Sequence, residues 1–168
     1  MNKGKESCNF VYGEIFGATE EAFKPTIVSI VRRRLAYYRF LAMRKLSPRI
    51  SSLTSPLPRP EEDLNLEPGD LVEVRSRAEI YATLDNRGKF KGLGFMPEMV
   101  KYCGKRFRVR QKVSMIALES TGEMRRLRSP TVFLEGAYCD GEFHYKCDRS
   151  CFCFWREAWL KRVPDGKD

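Results

Sequence analysis

Three cysteines in the stretch CDGEFHYKCDRSC, at Cys139, Cys147 and Cys151, restrict this chain more than any other feature. A seven-residue loop followed by a C-x3-C step lets the backbone bend several sulfurs toward one centre. Zinc takes four sulfur or nitrogen donors at tetrahedral corners, and an iron–sulfur cluster takes four thiolates. The fourth donor is assigned to Cys103, in Tyr102-Cys103-Gly104 just before a predicted strand, with His144 inside the loop as the alternate ligand. Zinc is the expected metal and an iron–sulfur cluster the alternative. Two other readings stand beside these: free cysteines that pack as small hydrophobes, and disulfides in an oxidising compartment. Cys153 is read as packing beside Phe152 and Phe154, and Cys8 has no assigned role.

The compartment bears on that choice. No stretch reaches the roughly 18 apolar residues of a membrane helix, and the first residues hold no apolar run that could form a signal-peptide core. The expected location is therefore cytoplasmic, where clustered cysteines serve as metal ligands or redox groups more often than as disulfides.

Charge divides the chain. The net charge is +9, and it is concentrated between Lys24 and Arg49, where Arg32, Arg33, Arg34, Arg39, Arg44 and Lys45 also fall and no acid occurs. From Asp63 onward acids and bases nearly balance. Pro25 suits a first helical turn, and Ile27, Ile30, Val31, Leu35, Tyr38, Leu41 and Ala42 recur at helical spacing. A basic amphipathic helix is predicted over residues 24–47, ending before Pro48. Its arginines, interleaved with Tyr37, Tyr38 and Phe40, suit a protein or nucleic-acid partner or an anionic membrane surface. A charge run is also the ordinary solvated face of a helix, and the apolar stripe would then dock on the domain. Residues 1–23 form a tail, residues 48–63 a Pro/Ser-rich linker, and residues 164–168 a C-terminal tail.

Residues 64–163 carry the compact domain. Leu71-Val72-Glu73-Val74-Arg75 alternates as a half-buried strand does, and Ser76 with Glu79 has the spacing of a capping box for a helix at Ala78–Leu84. Lys89 to Gly94 reads as a Gly-rich loop, followed by a helical turn over Phe95–Met99. Arg106–Arg110 and Thr131–Glu135 read as strands, and a closing strand or helix end lies near Trp159–Val163. The expected class is mainly β (α+β): a small SH3-like barrel with a Cys-rich metal-binding loop, preceded by the basic helix. Arg106, Arg108 and Arg110 share one strand face and, with Arg125, Arg126 and Arg128, could form a second basic patch.

Recognised catalytic frames are absent from the sequence. His144 is the sole histidine, and no GxSxG or HExxH frame, phosphate-binding GK[ST] or GxGxxG turn occurs. The expected function is a non-catalytic, metal-stabilised binding module for a protein or nucleic acid. The alternative is a metalloenzyme or iron–sulfur redox accessory protein, so catalysis is left open.

The segments LEPGDLVEVRS, ATLDNRGKFKGLGFMPEMVKYCGKRFRV, LEGAYCDG and FWREAWLKRV resemble a widespread family of short uncharacterised bacterial proteins. The resemblance runs from Leu66 to Val163 and does not reach the first 60 residues. It implies that Cys103, Cys139, Cys147 and Cys151 match cysteines of the family pattern. A further cysteine is expected there after the FRV strand, where this chain has Lys112-Val113-Ser114-Met115. That departure counts against a five-ligand or cluster-type arrangement and leaves a four-cysteine set intact.

Overall fold

The strand at the centre of the fold is the one whose alternation is clearest in the sequence. In β1 (Leu71–Val74), Val72 and Val74 are fully buried while Leu71 and Glu73 are half-buried, as a pleated strand with one face on the core requires. A computed structural model of the chain describes residues 25–51, 63–118 and 121–164, with side chains described at all of these except 41 and 44–51. The expected tail at 1–23, all of the expected tail at 164–168 except Pro164, and most of the expected linker, 52–62, lie outside the described residues.

Helix α1 (Ile27–Ser51) precedes β1, and α2 (Arg77–Thr83) follows it. Two short strands, β2 (Lys89–Phe90) and β3 (Leu93–Gly94), form a hairpin where a loop was expected, and a 3₁₀ turn spans Pro97–Tyr102. Next come β4 (Arg106–Lys112), the hairpin of β5 (Met115–Ala117) and β6 (Met124–Arg126), and β7 (Thr131–Leu134). After the cysteine loop, β8 (Trp155–Arg156) and β9 (Leu160–Arg162) flank a 3₁₀ turn at Glu157–Trp159. Both options for the chain end, a helical turn and a strand, are thus realised in succession.

The chain is α+β, built on a five-stranded antiparallel sheet in the order β8-β7-β4-β1-β9. The sheet does not close into the expected barrel, because β8 pairs only with β7 and β9 only with β1 among the described residues. These edge strands are only two and three residues long, and the turn joining them is committed to carrying Ala158 and Trp159 into the core.

One face of the sheet is covered by α2, the β2–β3 hairpin and the Pro97–Tyr102 turn. Val72, Val74, Val109, Val132 and Leu134 meet Ile80, Phe95, Met99, Trp155 and Trp159 there. Phe95 packs edge-on against both tryptophans, with centroids 5.4 Å from Trp159 and 6.4 Å from Trp155. Trp159 Nε1 donates to Thr83 Oγ1 at 3.1 Å and Arg75 Nε to the Ala158 carbonyl at 3.0 Å, whereas Trp155 Nε1 is buried without a hydrogen-bond partner. Glu157 accepts from the Leu64 and Leu66 amides and so ties the start of the domain to its end.

The predicted capping box starts α2: Ser76 Oγ accepts from the Glu79 amide, and the Glu79 carboxylate accepts from the Ser76 amide at 2.9 Å.

Helix α1 differs from expectation in two ways. It continues through Pro48 to Ser51, since a proline near a helix end forfeits one backbone hydrogen bond without stopping the turns on either side. It also docks by a different face. Phe40 packs edge-on against Tyr81 at 5.7 Å, and Arg33 lies over the Tyr145 ring at 4.5 Å and donates to the Phe143 carbonyl at 3.4 Å. The stripe of Ile27, Val31 and Leu35 faces away from the domain and is exposed, and Tyr38, at its edge, is exposed while bordering a cavity shared with Met96, Pro97 and Phe143.

Candidate metal centre

The cysteine loop is closed at its base by a short antiparallel pairing. Tyr138 bridges Phe152, the Cys139 amide donates to the Cys151 carbonyl at 2.8 Å, and the Cys153 amide donates to the Ala137 carbonyl at 3.1 Å. Side chains alternate across such a pair, so Tyr138 and Phe152 take one face, with ring centroids 4.7 Å apart, and Cys139, Cys151 and Cys153 take the other.

Within the loop the backbone is tightly wound. Gly141, at a φ of 71°, accepts from the His144 and Lys146 amides, and the His144 carbonyl accepts from Cys147. Tyr145, Lys146 and Ser150 also have positive φ, a conformation that costs non-glycine residues free energy and tends to concentrate at functional loops. The Gly141 amide donates to Cys139 Sγ at 3.3 Å. Two contacts pin the loop to the Pro97–Tyr102 turn: Lys101 Nζ to Asp140 at 2.7 Å, and the Tyr102 hydroxyl to the Tyr138 carbonyl at 2.6 Å. The first of these, from Lys101, holds the Asp140 carboxyl below its ordinary value.

That turn supplies a residue that reasoning from the sequence passed over. Pro97 presets helical φ for the first position, and the 3₁₀ turn that follows buries Glu98 beside Met99. Glu98 Oε1 lies 3.3 Å from His144 Nε2 and accepts from the Cys139 thiol at 3.7 Å. Its side chain is only 3% exposed, and Oε2 is buried without a hydrogen-bond partner. An acid set between two methionines in Phe95-Met96-Pro97-Glu98-Met99 was the available signal, since a charged residue in an apolar run is a buried-site candidate.

The ligand atoms of Glu98, Cys139 and His144 all lie within 4.8 Å of one another, a group that could hold a metal ion. Oxygen, sulfur and nitrogen from these residue types are the three donors that zinc accepts from proteins. Cys147, Cys151 and Cys153 line the same cavity, of about 440 Å³, together with this group, and Leu93, Met96, Phe152 and Phe154 form apolar wall. The structure therefore brings Cys139, Cys147 and Cys151 to one cavity with His144. Cys103 does not line it. That thiol packs against the core at the end of the 3₁₀ turn, near Arg77.

Burial raises three of the thiols. It pushes Cys153 up to about 12 and Cys103 up to about 11. Cys139 is also raised, by burial first and by the Glu98 carboxylate, against the Gly141 amide, which works the other way. Sulfurs held so are poor nucleophiles at neutral pH, and a bound cation would reverse the balance.

The basic residues fall into separate places. Arg33 is engaged with the cysteine loop, whereas Arg32, Arg34 and Arg39 lie exposed on α1. The side chains of Arg44 and Lys45 lie outside the described residues. On β4, Arg106 faces Glu73, Arg108 donates to the Gly69 carbonyl, and Arg110 stacks over Phe152.

Comparison of the chain with protein-family models, with curated proteins and with solved structures gave no match.

Proposed function

We propose that this chain is a zinc-type, metal-stabilised binding module in which Glu98, Cys139 and His144 hold the ion and Cys147 or Cys151 adds a fourth donor. One observation carries the reading: the Glu98 carboxylate is nearly sealed from solvent, close to a thiol and an imidazole, with one oxygen lacking any partner. A buried carboxylate without compensation is costly. A divalent cation would satisfy that oxygen, draw the thiol into its thiolate form and offset the strained backbone of the loop. Binding would then add to folding free energy and staple the cysteine loop to the Pro97–Tyr102 turn. The sheet order, with edge strands joined by one 3₁₀ turn, supports an SH3-like topology for the module. The exposed arginines of α1 support a role in engaging a partner.

A second reading, a metalloenzyme, draws on the cavity beside the same residues. Three protein ligands and an open fourth position facing an apolar cavity describe a catalytic zinc site. The oxygen, nitrogen and sulfur set of Glu98, His144 and Cys139 favours zinc over the iron–sulfur alternative, whose usual ligands are four thiolates.

Metal analysis and absorption spectroscopy of the anaerobically purified full chain test both. Colourless protein with one equivalent of zinc, destabilised by chelator, supports the module; brown protein with bound iron supports the cluster. In a cobalt-substituted sample, a visible spectrum that shifts on adding azide supports an open site. Protein that takes up neither zinc nor cobalt and stays equally stable in chelator defeats all three.

A further inference from the structure

The apolar residues of α1 meet water and not the core. Among the described residues, Ile27 is 80% exposed, Val28 76%, Leu35 58% and Tyr38 62%, and Val31 is exposed as well. Successive residues advance by about 100° around a helix. On that wheel Ile27, Tyr38, Val31, Ala42, Leu35 and Val28 share an arc of about 100°. Arg34 borders it on one side, and Arg39 and Arg32 on the other. The residues that touch the domain, Arg33 and Phe40, lie on the opposite side of the same helix. The domain thus holds one face of α1 and leaves an aliphatic face, edged by guanidinium groups, pointing outward.

We infer that this outward face of α1 docks in the interfacial region of an anionic lipid membrane, with the helix lying in the membrane plane between the lipid and the domain. Interfacial helices combine a continuous apolar face with flanking cations that reach lipid phosphates, and their binding grows with both. The segment Lys24–Arg49 contains no acid to oppose such a surface. No described helix is long and apolar enough to cross a membrane, so the helix lies on the surface. A nucleic acid would engage Arg32, Arg34 and Arg39 but leave Ile27, Val28, Val31 and Leu35 in water. A second copy would set the same arginines against one another. The inference does not depend on the metal reading.

Flotation of the full chain with vesicles tests it, comparing phosphatidylcholine alone with phosphatidylcholine mixed with phosphatidylglycerol at physiological ionic strength. The chain is expected to bind the mixed vesicles and to bind the neutral ones far more weakly. Val31→Asp and Leu35→Asp should each lower affinity for mixed vesicles by about tenfold or more, with unchanged near-UV circular dichroism, because both side chains are exposed. Absence of binding to the mixed vesicles overturns the inference. So does binding that both aspartate variants retain in full. Duplex DNA or RNA binding without vesicle binding overturns it in favour of a nucleic-acid partner, and a dimer abolished by Leu35→Asp, again without vesicle binding, overturns it in favour of self-association.

Discussion

Glu98 Oε1 stands 3.3 Å from His144 Nε2, joining the buried part of a 3₁₀ turn to the middle of the cysteine loop. If this pair and Cys139 are ligands, Glu98→Gln, His144→Ala and Cys139→Ser should each weaken zinc binding by about 10–100-fold or more, measured by competition with a chromophoric chelator. Cys103→Ser should leave the affinity within about twofold, because that sulfur does not line the cavity. Of Cys147→Ser and Cys151→Ser, the one that lowers affinity identifies the fourth donor. A large loss for Cys103→Ser alone would return the site to the four-thiolate set expected from the sequence.

Gly141 and Gly136 share a positive φ but differ in surroundings. A Cβ at Gly141 would overlap the backbone of Cys147, whereas one at Gly136 meets nothing within 4 Å. Gly136→Ala should cost about 1 kcal/mol, from backbone strain alone. Gly141→Ala should cost about 2–3 kcal/mol and also weaken zinc binding, because the loop must shift. Equal stability losses and unchanged metal affinity in the two variants would show that the loop conformation does not organise the site.

The Glu79 carboxyl carries a pH signature. Burial raises it, but hydrogen bonds from Ser76 and Lys161 outweigh burial and hold it at about 2. The stability it adds is present in full above its ordinary value of 4.5 and is lost as pH falls from there through about 2. Glu79→Gln should cost about 1 kcal/mol at neutral pH, with the deficit closing toward pH 2. Chemical denaturation across that range measures it, and a deficit independent of pH would assign the effect to packing.

Glu157 holds the Leu64 amide at 2.8 Å and the Leu66 amide at 3.4 Å. Glu157→Ala orphans both donors and should cost about 2–4 kcal/mol, while Glu157→Gln, which keeps one acceptor oxygen, should cost less. Hydrogen exchange should show the Leu64 and Leu66 amides opening first in the alanine variant. Uniformly faster exchange through the sheet would mean that Glu157 supports the whole core rather than the start of the domain.

Local patterns were legible in the sequence. The alternation of Leu71–Val74, the Ser76/Glu79 capping box, the Arg106 and Thr131 strands and the helical spacing after Pro25 each involve residues a few positions apart, whose geometry follows from backbone periodicity and side-chain chemistry. Cys139, Cys147 and Cys151 line one cavity because a single loop carries all three, and of them only Cys139 falls in the close group with Glu98 and His144. The β2–β3 and β5–β6 hairpins escaped notice because strands of two or three residues are too short to show a period.

What depended on distant residues meeting could not be read that way. Glu98 becomes a candidate ligand only because the Lys101–Asp140 and Tyr102–Tyr138 contacts draw its turn against a loop some forty positions later. Cys103 packs against the core near Arg77 and does not line the cavity. Helix α1 was recognisable as amphipathic, but which face docks was decided by Phe40 finding Tyr81 and Arg33 finding Tyr145. Periodicity sorts side chains by face; only the packed fold determines whether that face meets protein, metal or solvent, because each outcome rests on contacts between segments whose separation in sequence carries no record of their proximity.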